Sequence, residues 1–519
     1  MNIGSLLTSS AASHPKSPAI VHGSLTMDYE QFNARVNRLS NALRRLGARP
    51  GDNVAILMVN CPQMLEAMFA VFKAGCGAVP INFRLHPSEF AFIIDDSEAS
   101  VLITTEDFDQ PIREVRADLP RVRHVITTGS AAGDVQNYDD VLDGESEQFV
   151  DVEVAPDDVA WLFYTSGTTG VPKGAMLSHR NLLGMTDRFY ADIFPNFGDH
   201  EVVLHAAPLS HGSGLYGVPN VGGAAAHVFP GSTSFDPAWV LETIESQCVT
   251  NLFAAPAMIK RLVDCPAIDH ADVSSLKAFV WGGAPMMVED LQQALARFPN
   301  LVQIYGLGET PMTITSLSQR DHVLDGNATQ TKRLASAGTR RTNVEVEVVD
   351  GDDNFQPVGE TGEVVTRSDV MTQGYWRDAE ATALALQNGW LHTGDLGYFD
   401  EDGYLFLMDR SKDMIISGGE NIYPREIEEV LARHPAVREV AVIGVPDEQW
   451  GEAIKAVVSL VAGQDATEEG LIAYCKSNIA SFKKPRSVDF VAEIPKNNYG
   501  KIMKRELREP YWKNHERSI

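Results

Sequence analysis

The chain has 519 residues, 44% hydrophobic and 22% charged, with a formal net charge of -27. Such a make-up belongs to a soluble globular protein of more than one domain, and so acidic a surface excludes nonspecific nucleic-acid binding. Cys61, Cys76, Cys248, Cys265 and Cys475 are odd in number and lack a Cys-x-x-Cys pair, which excludes a disulfide framework and a zinc site of the usual spacing.

The start, Met1 to Leu7, has neither the basic residues nor the apolar core of a signal peptide. Lys73 and Gly75 interrupt the longest apolar run before it nears the roughly 20 residues of a membrane span. A cytoplasmic protein is the expectation. From Ser411 onward acidic and basic residues nearly balance, so almost the whole net charge falls on the first 410 residues.

In chain order, Phe32, Val36, Leu39, Leu43 and Leu46 recur at helical spacing and predict an amphipathic helix over 28–48. Apolar strands are expected at 53–59, 77–81, 99–104, 123–127, 202–206, 250–254 and 277–281, alternating with helical segments such as 63–73. That alternation predicts α/β sheets covered on both faces. From about residue 335 shorter β segments with Gly and Asp turns predict a small β lobe. After Arg410 comes an α+β unit with a helix from Pro424 to His434, strands at 440–444 and 454–461, and a helix at 466–479 capped by Asp465 with Glu468 three residues on. The expected division is therefore a large α/β N-terminal domain, 1–410, and a small mobile α+β C-terminal domain, 411–519.

Within the large part, Val159 to Phe163 reads as a buried strand feeding Tyr164-Thr-Ser-Gly-Thr-Thr-Gly-Val-Pro-Lys-Gly174, and Ser178 as the cap of a helix beginning near Arg180. Gly167, Gly170 and Gly174 let the backbone approach an anion. Thr165, Ser166, Thr168 and Thr169 add hydroxyl donors, and Lys173 adds a charge on a flexible stem. This string is a phosphate clasp, though not a Walker loop, because Gly174 rather than Ser or Thr follows the lysine.

Four further stretches set polar residues on turns after apolar strands. They are Pro208-Leu-Ser-His211-Gly212, Phe279-Val-Trp-Gly-Gly-Ala-Pro285, Ile304-Tyr-Gly-Leu-Gly-Glu-Thr310 and Trp390-Leu-His-Thr-Gly-Asp-Leu396. Together with Asp409-Arg-Ser-Lys-Asp413 and Pro495-Lys-Asn-Asn-Tyr-Gly-Lys501, their order and spacing resemble the adenylate-forming superfamily of acyl-CoA synthetases, adenylation domains and firefly-type luciferases. The resemblance runs from about residue 25 to 510.

It implies an AMP-forming acid–thiol ligase using ATP, Mg²⁺ and coenzyme A. Thr165, Ser166, Gly167, Thr168, Thr169, Gly170 and Lys173 would hold the β- and γ-phosphates, and Glu309 the metal. Tyr305 would stack on adenine, with Gly283, Ala284, Pro285 and Gly306 beside it. Asp395 and Arg410 match the ribose positions. Lys501 matches the lysine between the substrate carboxylate and the α-phosphate, Lys412 the hinge, Gly418 and Gly419 the pantetheine tunnel, and Trp450 a CoA-stacking position or, equally, a packed turn residue. His211, an imidazole at a strand end and a catalytic candidate, is expected to border a mainly apolar acyl pocket with Gly212, Phe253, Ala254, Gly283, Gly306, Pro311 and Met312.

Two departures stand out. Gly308 replaces the usual threonine before Glu309, leaving an α-phosphate contact to Thr310 or to none; Gly306 replaces the tryptophan of acetate enzymes, implying an acyl group larger than acetate. The expected partners are a medium- or long-chain fatty acid or an aryl acid, and CoA. No carrier domain follows Ile519, which favours free CoA over carrier-protein loading, and a homodimer is one assembly open to such a chain. A γ-phosphate-transferring enzyme or a non-catalytic nucleotide binder are the other classes the clasp alone allows.

Overall fold

The computed structural model describes residues 1–165, 172–198, 200–410, 413–417, 420–447, 450–497 and 501–513. Two sheets with parallel centres form the body. One has nine strands and runs from Thr339–Arg340 at one edge through Leu301–Tyr305, Ala278–Trp281, Asn251–Ala254 and Val202–Leu204 to Leu25–Asp28 at the other. The second has seven, centred on Val101–Thr104, Asn53–Leu57 and Gly77–Ile81, with Val159–Thr165 and Lys173–Ser178 at one edge. All of Asn53–Leu57 and Gly77–Ile81 is buried, as continuous apolar strands covered on both faces must be.

The helices follow their local signals. Tyr29–Arg45 starts at a capping box in which Asp28 accepts from the Gln31 N–H and Gln31 reaches back to Asp28. Ser178 forms the same device with Asn181 at the head of His179–Arg188, as expected. Pro62–Lys73 is buried on nearly every side and lies in a core shared by both sheets, where Phe69, Phe72 and Trp161 pack in sequence. Lys73, which breaks the apolar run in the sequence, is buried inside that core. Its ammonium donates to Asn33 Oδ1 (2.6 Å) and Asn37 Oδ1 (2.9 Å), and burial lowers its pKa to about 8. Among the described residues no helix is long and apolar enough to cross a membrane.

Asn60 stitches the carboxyl ends of the two sheets together. Its Nδ2 donates to His205 O (2.8 Å) and Ala207 O (2.7 Å), and its Oδ1 accepts from the Leu209 N–H (2.9 Å). The carboxyl ends of the two sheets, where open α/β sheets bind ligands, are thereby held side by side.

The β lobe is a five-stranded sheet that includes Glu345–Val349, Gly362–Arg367, Trp390–Phe399 and Leu405–Arg410. A fourth sheet, from Ile415–Ser417 to Ser487–Phe490, is dominated by the ribbon of Val437–Asp447 against Gly451–Leu460. Helices Pro424–Ala432 and Glu468–Asn478 pack on it through Ile427, Leu431, Leu471 and Cys475. This is the small α+β C-terminal part expected from the sequence.

The predicted cap of its second helix is displaced. Thr467, not Asp465, accepts from the Gly470 N–H (3.1 Å), so Glu468 becomes the first helical residue. Its carboxylate accepts instead from the Val488 N–H (2.9 Å) of the neighbouring strand, a tertiary contact that local spacing does not announce.

Candidate active site

The two strands that flank the expected phosphate clasp pair with each other. Val159–Thr165 pairs antiparallel with Lys173–Ser178, setting Tyr164 opposite Gly174 and Thr165 opposite Lys173, so Lys173 opens the return strand. Ser166, Gly167, Thr168, Thr169 and Gly170 lie outside the described residues. A Cβ at Gly174 would stand 3.0 Å from the Tyr164 ring, whose hydroxyl donates to Asp96 Oδ2 (2.6 Å), so the pairing requires close approach there.

A segment from 371 to 378 runs along this return strand. Met176 N–H donates to Gly374 O (2.9 Å), and Trp376 N–H to Gly174 O (2.8 Å). It sets Tyr375 between two of the expected site residues. The Tyr375 hydroxyl donates to Glu309 Oε1 (2.7 Å), while the Lys173 ammonium lies 5.7 Å from the centre of its ring and 3.5 Å from Asp378 Oδ2. Tyr375 and Asp378 were not among the sequence candidates. The signal that marks them is Gln373-Gly-Tyr-Trp376, a glycine and two aromatics beside an acidic residue in an otherwise polar stretch.

Tyr305 ends Leu301–Tyr305 and donates its hydroxyl to Asp395 Oδ2 (2.8 Å), which brings the adenine and ribose candidates together. The turn expected before Asp395 is instead an irregularity within the strand Trp390–Phe399, where Gly394, at φ +71°, donates its N–H to Glu363 Oε1 (2.8 Å). Arg410 is opposite Asp395 in the backbone ladder, and its side chain lies outside the described residues. After Ala278–Trp281 the chain turns at Gly283, with φ +85°, leaving Gly283 and Pro285 exposed and Ala284 half-buried at the strand's carboxyl end.

Glu309 is nearly buried and its carbonyl accepts from the Thr372 N–H (2.7 Å). Among the described residues no group of three metal-ligating side chains exists. A single carboxylate suits Mg²⁺, which completes its six oxygens with waters and substrate phosphates, and does not suit a metal needing an all-protein cage.

Two readings of the Tyr305 to Thr310 turn change. Thr310 is fully buried, and its hydroxyl oxygen accepts from the Leu307 N–H (3.0 Å), closing its own turn rather than facing a ligand. Gly306 does not leave space for an acyl group in the direction of a side chain, because a Cβ there would stand 2.5 Å from the main chain of Met312 and Thr313. Gly306→Ala is therefore expected to cost about 1–3 kcal/mol of stability, measured by urea unfolding. The absent threonine at 308 has a similar cause, since a Cβ on Gly308 would meet the Phe163 ring at 2.6 Å.

His211 follows Val202–Leu204 and heads the helix Gly212–Gly222, with its ring tilted 32° on Phe163 at 4.7 Å. Burial lowers its pKa to about 4, so the imidazole is neutral at physiological pH. A Cβ on Gly212 would touch the Phe253 ring at 2.5 Å, and Tyr216 meets Phe253 edge-on, giving an aromatic wall beside the clasp.

In the C-terminal part, the backbone of Lys501 pairs with Asn497. Its N–H donates to Asn497 Oδ1 (2.9 Å) and its carbonyl accepts from the Asn497 N–H (2.8 Å). Trp450 is a turn residue, over a third exposed, with the Arg486 guanidinium 4.8 Å from its ring centre. Lys412, Gly418 and Gly419 lie outside the described residues.

The family model described as "AMP-binding enzyme" matches residues 7–376, and the one described as "AMP-binding enzyme C-terminal domain" matches 426–501. A feruloyl-CoA synthase of Amycolatopsis is 38% identical over 511 residues, covering 98% of each chain. The fatty acid–[acyl-carrier-protein] ligase ScoC of Streptomyces coeruleorubidus is 34% identical, covering 99% of this chain and 97% of its own. Among solved structures, ATP-bound MatB from Rhodopseudomonas palustris superposes with a TM-score of 0.88 at 30% identity, covering 99% of both chains. The chain belongs to the AMP-binding enzymes, the adenylate-forming superfamily whose motifs its strand ends carry.

Proposed function

We propose that this enzyme is an ATP-dependent acid–CoA ligase acting on an aryl carboxylic acid in the cytoplasm. The observation that carries the reading is a chain of contacts in which the Tyr305 hydroxyl donates to Asp395, Glu309 follows Tyr305 by four residues, and Tyr375 links Glu309 to Lys173. The Tyr305–Asp395 end has the groups to take a nucleoside, the Glu309–Lys173 end those to take its phosphates. The aromatic wall of Phe163, His211 and Phe253 supports a flat acyl group, and so does the full-length similarity to a feruloyl-CoA synthase.

In the first step a carboxylate oxygen attacks the α-phosphorus, the bond to the bridging oxygen breaks, and pyrophosphate leaves. Lys501 lies between the two anions and stabilises them most when they are closest, which is what lowers a barrier. Lys173, with Thr165, Ser166, Gly167, Thr168, Thr169 and Gly170, grips the departing phosphates. Mg²⁺, held by Glu309, neutralises phosphate charge when bound. Gly283, Ala284, Pro285 and Tyr305 flank the base, and Asp395 with Arg410 takes the ribose hydroxyls.

In the second step the CoA sulfur attacks the acyl carbonyl, AMP leaves, and the thiol proton passes to solvent. The reading assigns body and cap to 1–410 and 411–519. The cap turns about Lys412, withdrawing Lys501 and bringing up Gly418 and Gly419 as the tunnel, with Trp450 at its outer end.

Product analysis over a panel of aryl and fatty acids tests this. AMP, pyrophosphate and an acyl-CoA are expected, with aryl acids turned over fastest, whereas ADP or acid-independent hydrolysis would overturn it. The similarity to a carrier-protein ligase favours one second reading, acyl transfer to a carrier phosphopantetheine, which the same assay separates by replacing CoA with a holo carrier protein.

A further inference from the structure

The segment 371–378 touches both halves of the phosphate corner, yet none of the roles above falls to it. It is fixed at several points. Thr372 donates its N–H to Glu309 O and its hydroxyl to Met176 O (2.8 Å), and the Tyr375 N–H donates to Thr382 Oγ1 (2.9 Å). Asp378 divides its carboxylate between two tasks. Oδ1 caps the helix Ala379–Ala385 by accepting from the Ala381 N–H (2.8 Å), and Oδ2 faces the Lys173 ammonium at 3.5 Å.

Tyr375 bridges the pair. Its hydroxyl meets the Glu309 carboxylate, and its negative ring face lies toward Lys173. A carboxylate held by one donor keeps its remaining lone pairs aimed in a set direction, and a lysine facing an aspartate 3.5 Å away has a partner before any phosphate arrives.

We propose that Tyr375 is a positioning residue for the polyphosphate and its divalent cation. Its hydroxyl orients Glu309 toward the cation, while Asp378 holds Lys173 in place until the polyphosphate takes over that contact. The inference rests on the roles given to Glu309 and Lys173 above.

Binding measured on the full-length protein tests it without turnover, using Mn²⁺ followed by electron paramagnetic resonance and α,β-methylene-ATP as the nucleotide. Tyr375→Phe keeps the ring and removes the hydroxyl. It is expected to weaken Mn²⁺ retention in the nucleotide complex about three- to tenfold while leaving nucleotide affinity in EDTA unchanged. Asp378→Asn retains a good helix cap and is expected to tighten nucleotide binding in EDTA about two- to fivefold. That gain should vanish in a Lys173→Ala background.

Wild-type Mn²⁺ retention in Tyr375→Phe overturns the positioning role. A gain from Asp378→Asn that survives in Lys173→Ala overturns the holding role, since it would report plain charge repulsion. Glu309→Gln separates the levels. If it leaves Mn²⁺ retention unchanged, the metal assignment itself fails and this inference with it; if it weakens retention and Tyr375→Phe does not, only the role of Tyr375 fails.

Discussion

Replacing Lys501 by alanine is expected to slow pyrophosphate release by about 10²- to 10³-fold, the usual cost of removing a charge-stabilising donor from a transition state. A carboxylate and a triphosphate repel one another most strongly as the new bond forms, so a cation between them acts where the energy is highest and adds little to the affinity for either partner alone. The backbone of Lys501 is held by Asn497 and the side chain is half-buried, so truncation leaves those backbone contacts in place. Thioester formation from synthetic acyl-adenylate should be spared, because the proposed rotation carries this lysine away before the thiol attacks. Rapid-quench measurement of the two half-reactions checks this. Equal losses in both would contradict a cap that turns between steps.

Acidification is the second large effect. His179, His205, His227 and His322 are buried, and burial depresses each below its ordinary 6.5: His179 and His322 to about 4, His205 to about 3, and His227 well below the usual range. Geometry enforces the neutral form. His179 Nδ1 accepts from the Ile3 N–H (3.0 Å), His322 Nε2 from the Trp281 indole (3.3 Å), and His205 bridges Ser213 and His227.

The unfolded chain takes up protons that the native state refuses, so stability falls as the pH drops below about 6.5 and continues to fall to about 4. Each fully participating imidazole contributes about 1.4 kcal/mol per pH unit. With several acting together, a domain stabilised by about 5–15 kcal/mol should unfold in mild acid. Urea midpoints followed from neutrality downward would show this as a steep decline, and a flat profile over that window would contradict it.

Much of the fold was legible because its signals are local. Continuous apolar strands alternate with helices, and capping residues such as Asp28 and Ser178 stand where the helices start. The motifs at His211, Gly283 and Glu309 were legible because each follows a strand, whereas Trp390 to Leu396, expected as a turn, lies within the strand Trp390–Phe399. What escaped depends on contacts between distant segments. Nothing near Tyr375 or Asp378 says that this segment lies along the clasp's return strand, nothing near Gly306 says that the main chain of Met312 and Thr313 crosses it, and Glu468 gives no hint that it serves a strand twenty residues on. Thr310 was a hydroxyl in a motif until its burial was known.

The clasp and the segment laid along it are joined by the hydrogen bond of Thr372 to Met176, residues 196 positions apart. In vectorial synthesis the clasp leaves the ribosome long before its companion does. At roughly 5–20 residues per second the nascent chain carries the complete motif for some ten seconds or more without a finished nucleotide site. On the proposed reading, ATP would stabilise the N-terminal half only after residues 371–378 have been made.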